Sequence, residues 1–207
     1  MLEDQLLVER AQRGDKNAFA QIVETYQTPV YNLAYRMLGN ANDAEDAAQE
    51  TFLRGYAQLK KFHADHKFAT WLLSIDAHYC IDRLRRRRFL WLPLDDSPLN
   101  DTLVSDAPEV DDGLLRLESQ QEIERLLERL TPASRLVVVL RYWHDQSIEE
   151  IAKTTGDSIS AVKVKLHRAR QALAKALANP LQDANGPAAS NAPVVRMMRR
   201  EEASHAE

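Results

Sequence analysis

An all-α protein of two small helical domains joined by an acidic, flexible linker is what this sequence predicts, on three observations. Apolar residues recur at threes and fours from residue 2 to 90 and again from about 114 to 178. No run alternates with period two for long enough to form a strand. Between the two periodic stretches, residues 93–115 contain Pro93, Pro98 and Pro108, seven acids and no Lys or Arg. That is the composition of an extended tether, not of a packed element. The expected plan is a first domain over 1–92, a linker over 93–115, a second domain over 116–178 and a flexible tail over 179–207.

In the first domain, Phe19, Ile22, Val23 and Tyr26, then Val30, Leu33, Ala34 and Met37, mark one helical stripe. Pro29 should kink or break that stretch after Thr28. Gly39-Asn40-Ala41-Asn42 reads as a helix stop followed by an Asn or Asp N-cap. A helix follows from about Asp43 to Leu59. Its wheel turns Ala44, Ala47, Ala48, Thr51 and Phe52 inward and Asp46, Gln49, Glu50 and Leu53 outward. An exposed Leu among acids and an amide suits a protein-docking patch; a solvated acidic helix is the alternative. The next helix, about 68–87, opens with Phe68-Ala69-Thr70-Trp71-Leu72-Leu73 and ends in Arg83-Leu84-Arg85-Arg86-Arg87-Arg88. Five arginines in six positions complement the helix dipole and can neutralise phosphates.

The second domain carries helix-turn-helix spacing over residues 147–166. Ser147 with Glu150 makes a capping box, Ile148, Ile151 and Ala152 give a buried face, and Gly156 can take the left-handed conformation at the turn. Asp157 or Ser158 then caps a second helix. On its wheel Ile159, Val162, Leu166, Ala169 and Leu173 share the core stripe. Ser160, Val164, His167, Arg168 and Gln171 face away, flanked by Lys163 and Lys165, as a recognition helix requires. Arg168 can bind guanine in a bidentate way, Val164 can touch a thymine methyl, and the two lysines suit phosphates. Arg170 projects closer to the core side, where a structural role competes on at least equal terms with a DNA contact.

The net charge of −4 hides this segregation, so local sign matters more than the mean. No stretch approaches the roughly 18 apolar residues of a membrane span. The acidic start Met1-Leu2-Glu3-Asp4 lacks a signal peptide's basic and apolar runs. One cysteine, Cys80, excludes an internal disulfide and fits a reducing cytoplasm. We expect a cytoplasmic protein without membrane insertion. There is no Gly-rich phosphate loop, no Ser-His-Asp pattern and no convergent carboxylate set, so no enzyme, catalytic residue or cofactor is expected. His63 and His66 have a metal-like spacing but no further ligands nearby, so no metal is expected either.

In order, the acidic 43–53 motif, the Phe68–Leu73 helix with its arginine run, and Leu130-Thr131-Pro132-Ala133-Ser134-Arg135 through Arg170 closely resemble the extracytoplasmic-function sigma factors. The resemblance covers about residues 5–178. It implies a sigma region 2 helical bundle and a sigma region 4 helix-turn-helix. Asp46, Gln49, Glu50 and Leu53 would then dock core RNA polymerase on the clamp helices of its largest subunit, and region 4 would contact the flap. The implied −10 readers are Lys61, Phe62 and His63 in the 61–67 loop, with Trp71, His78, Asp82, Arg83, Arg85, Arg86 and Arg87. Many relatives have Asn where His78 stands. The implied −35 readers are Ser160, Lys163, Val164, Lys165, His167 and Arg168.

Promoter DNA and core polymerase are the implied partners, the family admits an anti-sigma factor, and a stress or envelope regulon and nucleoid association would follow. Promoter elements about 25 base pairs apart lie roughly 85 Å from each other. The linker spans up to roughly 75 Å extended, before the domains' own widths. By resemblance its acids would lie along the polymerase's RNA path. The competing reading is a stand-alone helix-turn-helix regulator. It would need only residues 116–178 and leaves the docking patch, the Trp71 helix and the tether unexplained.

Overall fold

The computed structural model describes residues 2–63, 67–90 and 112–178. The first domain is built from α1 (Leu2–Gln12), α2 (Lys16–Leu38), α3 (Ala41–Gln58), a 3-10 turn at Leu59–Lys61 and α4 (Phe68–Leu90). The second comprises α5 (Asp112–Glu128), α6 (Pro132–Trp143), α7 (Ile148–Thr155) and α8 (Ile159–Ala178). The described residues contain no strand. Most of the 93–115 linker and the whole 179–207 tail lie outside them. Residues 112–115, placed in the linker by composition, form the first turn of α5, where an acidic residue at the helix start is favourable.

The stop and start between α2 and α3 are as the sequence reads. Gly39 closes α2 at φ 70, in the left-handed region, and the Asn40 side chain accepts from the Asp43 backbone N–H. Pro29 does not break α2, which continues as one helix to Leu38. A proline in a helix interior costs roughly 3 kcal/mol. Against this, Val30, Leu33 and Met37 are fully buried beyond it, each stabilising by roughly 1.5–3 kcal/mol. Burial wins, and the stripe runs through the proline.

Helices α2, α3 and α4 pack on one another around Ile22, Leu33, Met37 and Leu72, with α1 laid along α2. Gly55 sits where α3 meets α4: a Cβ there would lie 3.2 Å from Leu72 Cδ1. The second core gathers Val137, Leu140, Ile151, Val162 and Leu173 from α6, α7 and α8. Both cores belong to one continuous buried cluster, because α4 packs on α6 and α7, and α2 on α6.

Two buried groups stand out from this apolar interior. Asp76 on α4 is fully buried; one carboxyl oxygen accepts from Thr51 Oγ1 at 3.1 Å and the other has no partner. Burial pushes its pKa up to about 7. Cys80, one turn on, is buried beside it, and burial pushes its thiol well above the usual range. The cysteine is inert core filling.

Candidate polymerase and promoter interfaces

On α3 the wheel is reproduced. Ala44, Ala47 and Thr51 are buried, whereas Asp46 and Gln49 are exposed, Leu53 is 67 % exposed and Glu50 is partly exposed. Glu50 is held by Arg54 at 2.7 Å. Beside this face, Val23, Gln27 and Tyr31 of α2 and Glu45, Gln49 and Phe52 of α3 line an open groove of about 420 Å³. The α2 contribution was not foreseen: Val23 reads from the sequence as part of the core stripe, yet it and Tyr31 are only partly buried.

The expected −10 surface divides sharply. Lys61 and His63 are exposed, and residues 64–66 lie outside the described set. Phe62 is a correction: it is only 7 % exposed, with ring centroids 5.3 Å from Phe68 and 5.2 Å from Trp71. It belongs to an aromatic cluster with Phe68 and Trp71, because a ring packed against two others gains more from burial than from solvent. Trp71 is half-buried in the same cluster. His78 is exposed, and its Nδ1 meets the Ser74 carbonyl oxygen. A carbonyl only accepts, so Nδ1 carries the proton, and in the neutral ring Nε2 is left as an acceptor.

The arginine run is exposed at Arg85 and Arg86, with Asp82 beside it. Arg83 and Arg87 both donate to the Asp43 carboxylate at the start of α3, and Arg83 also lies 3.5 Å from Asp46. Sequence reasoning missed Arg54 and Tyr79. The Arg54 guanidinium lies 5.0 Å from the Tyr79 ring centroid, and Arg83 donates to the Tyr79 hydroxyl at 3.1 Å. These residues line a cleft of about 370 Å³ with Asp82, Arg86 and Arg87. Its cations are thus interleaved with carboxylates.

The helix-turn-helix has its expected joints. Ser147 and Glu150 form the reciprocal capping box, Gly156 takes φ 74, and Ser158 Oγ accepts from the Ala161 N–H to cap α8. Asp157 binds Lys165 instead, at 2.6 Å. Val162, Leu166, Ala169 and Leu173 are buried as read. Ile159 is a second correction: it is 45 % exposed, because no element among the described residues covers the first turn of α8 at that position. Ser160, Lys163, His167 and Arg168 are exposed and Val164 is 47 % exposed. Arg170 donates from Nε to Tyr142 Oη at 2.9 Å, a structural contact.

A helical bundle ending in an arginine-rich helix, followed by a helix-turn-helix domain, is the plan of a promoter-reading protein of the sigma-70 type. Family models for Sigma-70 region 2 and Sigma-70, region 4, match residues 22–89 and 120–173. The ECF RNA polymerase sigma factor SigW of Bacillus subtilis (strain 168) is 35% identical over 176 residues, covering 82% of this chain and 94% of the relative. The ECF RNA polymerase sigma-E factor of Escherichia coli (strain K12) is 31% identical over 188 residues, covering 83% and 93%. The chain belongs to the extracytoplasmic-function sigma factors.

Among solved structures, CnrH in complex with the cytosolic domain of CnrY matches at a TM-score of 0.65 and 25% identity, over 85% of this chain and 97% of that one. The sigma factor RpoE in complex with the anti-sigma factor NepR, from Bartonella quintana, shares the fold at a TM-score of 0.62 and 20% identity, over 80% and 98%. The protein is therefore an alternative sigma factor: it binds core RNA polymerase and directs it to promoters, and it is not an enzyme. A stand-alone regulator is set aside by the region 2 match. Among the described residues no helix is long and apolar enough to cross a membrane.

Proposed function

We propose that α3 docks this sigma factor on the polymerase clamp helices through Asp46, Gln49, Glu50 and Leu53, with the α2 groove beside them. The −10 element is then met by Lys61, His63, Trp71, His78 and Asp82 and by Arg83, Arg85, Arg86 and Arg87. Phe62 acts from below, holding the loop. The −35 element is read by Ser160, Val164, His167 and Arg168, with Lys163 and Lys165 on phosphates. The observation that carries the reading is the exposed polar face of α8, standing on a capped helix-turn-helix whose opposite face is buried. The domain limits 1–92, 93–115, 116–178 and 179–207 belong to the same proposal, with α5 extending the second domain back to Asp112.

An anti-sigma factor is a further partner, supported by the solved relative RpoE, seen with the anti-sigma factor NepR. Action in the cytoplasm, on the nucleoid, follows from promoter binding. The test is run-off transcription from a genomic promoter library with core polymerase and this chain. Paired −35 and −10 motifs should emerge, and Arg168→Ala should change only the first. Variants on α8 that alter −10 preference instead would reverse the domain assignment.

A further inference from the structure

One carboxylate, Asp43, ties the arginine run of α4 to α3, and it lies in neither the proposed docking patch nor the −10 set. It stands in the first turn of α3, buried, with its backbone N–H donated to the Asn40 side chain. A carboxylate there is also favoured by the helix dipole. Its Oδ1 accepts from Arg83 Nη2 and its Oδ2 from Arg87 Nη2, one turn further along α4. Both oxygens are thus spent on a charge-assisted bridge between the two helices. Arg83 is committed further: Nη1 donates to Tyr79 Oη at 3.1 Å, and Nη2 lies 3.5 Å from Asp46 Oδ2. Little of that guanidinium's fork is left for a base or a phosphate. The rest of the run faces elsewhere. At roughly 3.6 residues per turn, His78, Asp82, Arg85 and Arg86 fall within about 100° of one another, and all four are exposed. Arg85 and Arg86 make no ion pair among the described residues.

We infer that Asp43 is a positioning residue of the −10 surface and divides the four arginines by role. Arg85 and Arg86 act on phosphate directly, whereas Arg83 and Arg87 act through Asp43, by fixing how α4 is turned on α3. A single bond would leave α4 free to swivel about it. Two bonds from one carboxylate, a helical turn apart, set both the rotation and the axial position of the helix. The exposed face that carries His78, Asp82, Arg85 and Arg86 is thereby aimed. Asp43 also cancels one of the two positive charges it holds, which restrains sequence-independent attraction to phosphate. The division rests on the proposed assignment of α4 to the −10 element.

The test is the salt dependence of promoter binding by holoenzyme assembled with full-length variants. Arg85→Gln with Arg86→Gln should flatten the log–log slope by about 1.4–1.8, for two phosphate contacts of about 0.7–0.9 each. Arg83→Gln with Arg87→Gln should leave the slope in place, while preference for the −10 sequence over a scrambled one falls. Asp43→Asn should do the reverse of losing a contact. It frees Arg87, whereas Arg83 keeps Tyr79 and Asp46, so the slope should steepen by about 0.7–0.9 as −10 preference falls. Adding Arg87→Gln to Asp43→Asn should return the slope to its wild-type value. A residue that merely stabilised the fold would lower the melting temperature without moving the slope. An unmoved slope in Asp43→Asn, at preserved helix content, would therefore overturn the positioning role. If that variant does not fold, the Arg83 and Arg87 pair decides. A slope flattened as much as by the Arg85 and Arg86 pair would mean that all four meet phosphate, and the division fails while the −10 assignment stands. A wild-type slope and −10 preference in the Arg85 and Arg86 pair would remove α4 from the −10 element, and the division with it.

Discussion

The two domains treat charge in opposite ways. The first pairs its cations internally: Asp43 takes both Arg83 and Arg87, Glu50 takes Arg54, and a whole carboxyl group, Asp76, sits inside. The second keeps neutral Gln146 and Thr154 as its own interior polar pair, bonded to each other at 2.9 Å. Arg135, its one buried charge among the described residues, reaches across to the first domain. On its surface Lys163, His167 and Arg168 are exposed and make no ion pair among the described residues. A helix that reads duplex base edges can present its donors permanently. The surface proposed to open DNA holds part of its cations, Arg83 and Arg87, against the Asp43 carboxylate.

The comparison breaks first at the docking helix. Asp46→Arg with Glu50→Arg should weaken core polymerase binding by several kcal/mol, since like charges are forced against a surface matched to acids. Undiminished affinity by biolayer interferometry, with helix content preserved, would place docking elsewhere.

Asp76 sharpens it next. Its folded pKa, about 7, lies above the ordinary 3.8. The stability it contributes is therefore complete below about pH 4 and is lost as pH rises through 7. Asp76→Asn should remove that loss and stabilise the protein by roughly 2–4 kcal/mol at pH 8, with little effect at pH 4. Urea melts at the two pH values check this; a gain of equal size at both would mean that ionisation is not the cause.

Smaller effects belong to the second domain. Arg168→Ala should cost roughly 1–3 kcal/mol at one −35 base pair and relax preference there alone. Lys165→Ala should weaken all sequences evenly, and its salt slope should fall by less than the roughly 0.9 expected of a full phosphate contact, because Asp157 competes for the ammonium. Smallest is His78. With Nε2 as its outward acceptor it favours a base bearing an amino group over thymine, and His78→Ala should erase about 1 kcal/mol of that preference at one −10 position. Selection from a randomised −10 library measures it, and a preference that survives the substitution assigns the reading to another residue.

Much of this was legible in the chain because local chemistry and tertiary packing agree there. Gly39 with Asn40, and Ser147 with Glu150 and Gly156, specify helix ends without help from distant residues. The α3 face and four of the five core positions on α8 follow from periodicity alone. What failed depends on what lies nearby in space. Pro29 is overridden by buried neighbours, Ile159 loses the cover its wheel position implied, and Phe62 is drawn inward by Phe68 and Trp71. Arg135 bonding Met37, 98 residues away, has no local signature at all. The interleaving of Asp43 with Arg83 and Arg87 likewise requires two helices to be brought side by side.

Gly55 has a mechanical consequence. With no methyl to spare between α3 and Leu72 on α4, the helix proposed to grip the enzyme and the helix proposed to meet the DNA are seated like two teeth of one gear. A tilt imposed on either is passed to the other without slack. An alanine at this position would act as a shim, prising the pair apart by a few tenths of an ångström, so that grip and reading would fall out of step while both surfaces kept every side chain they use.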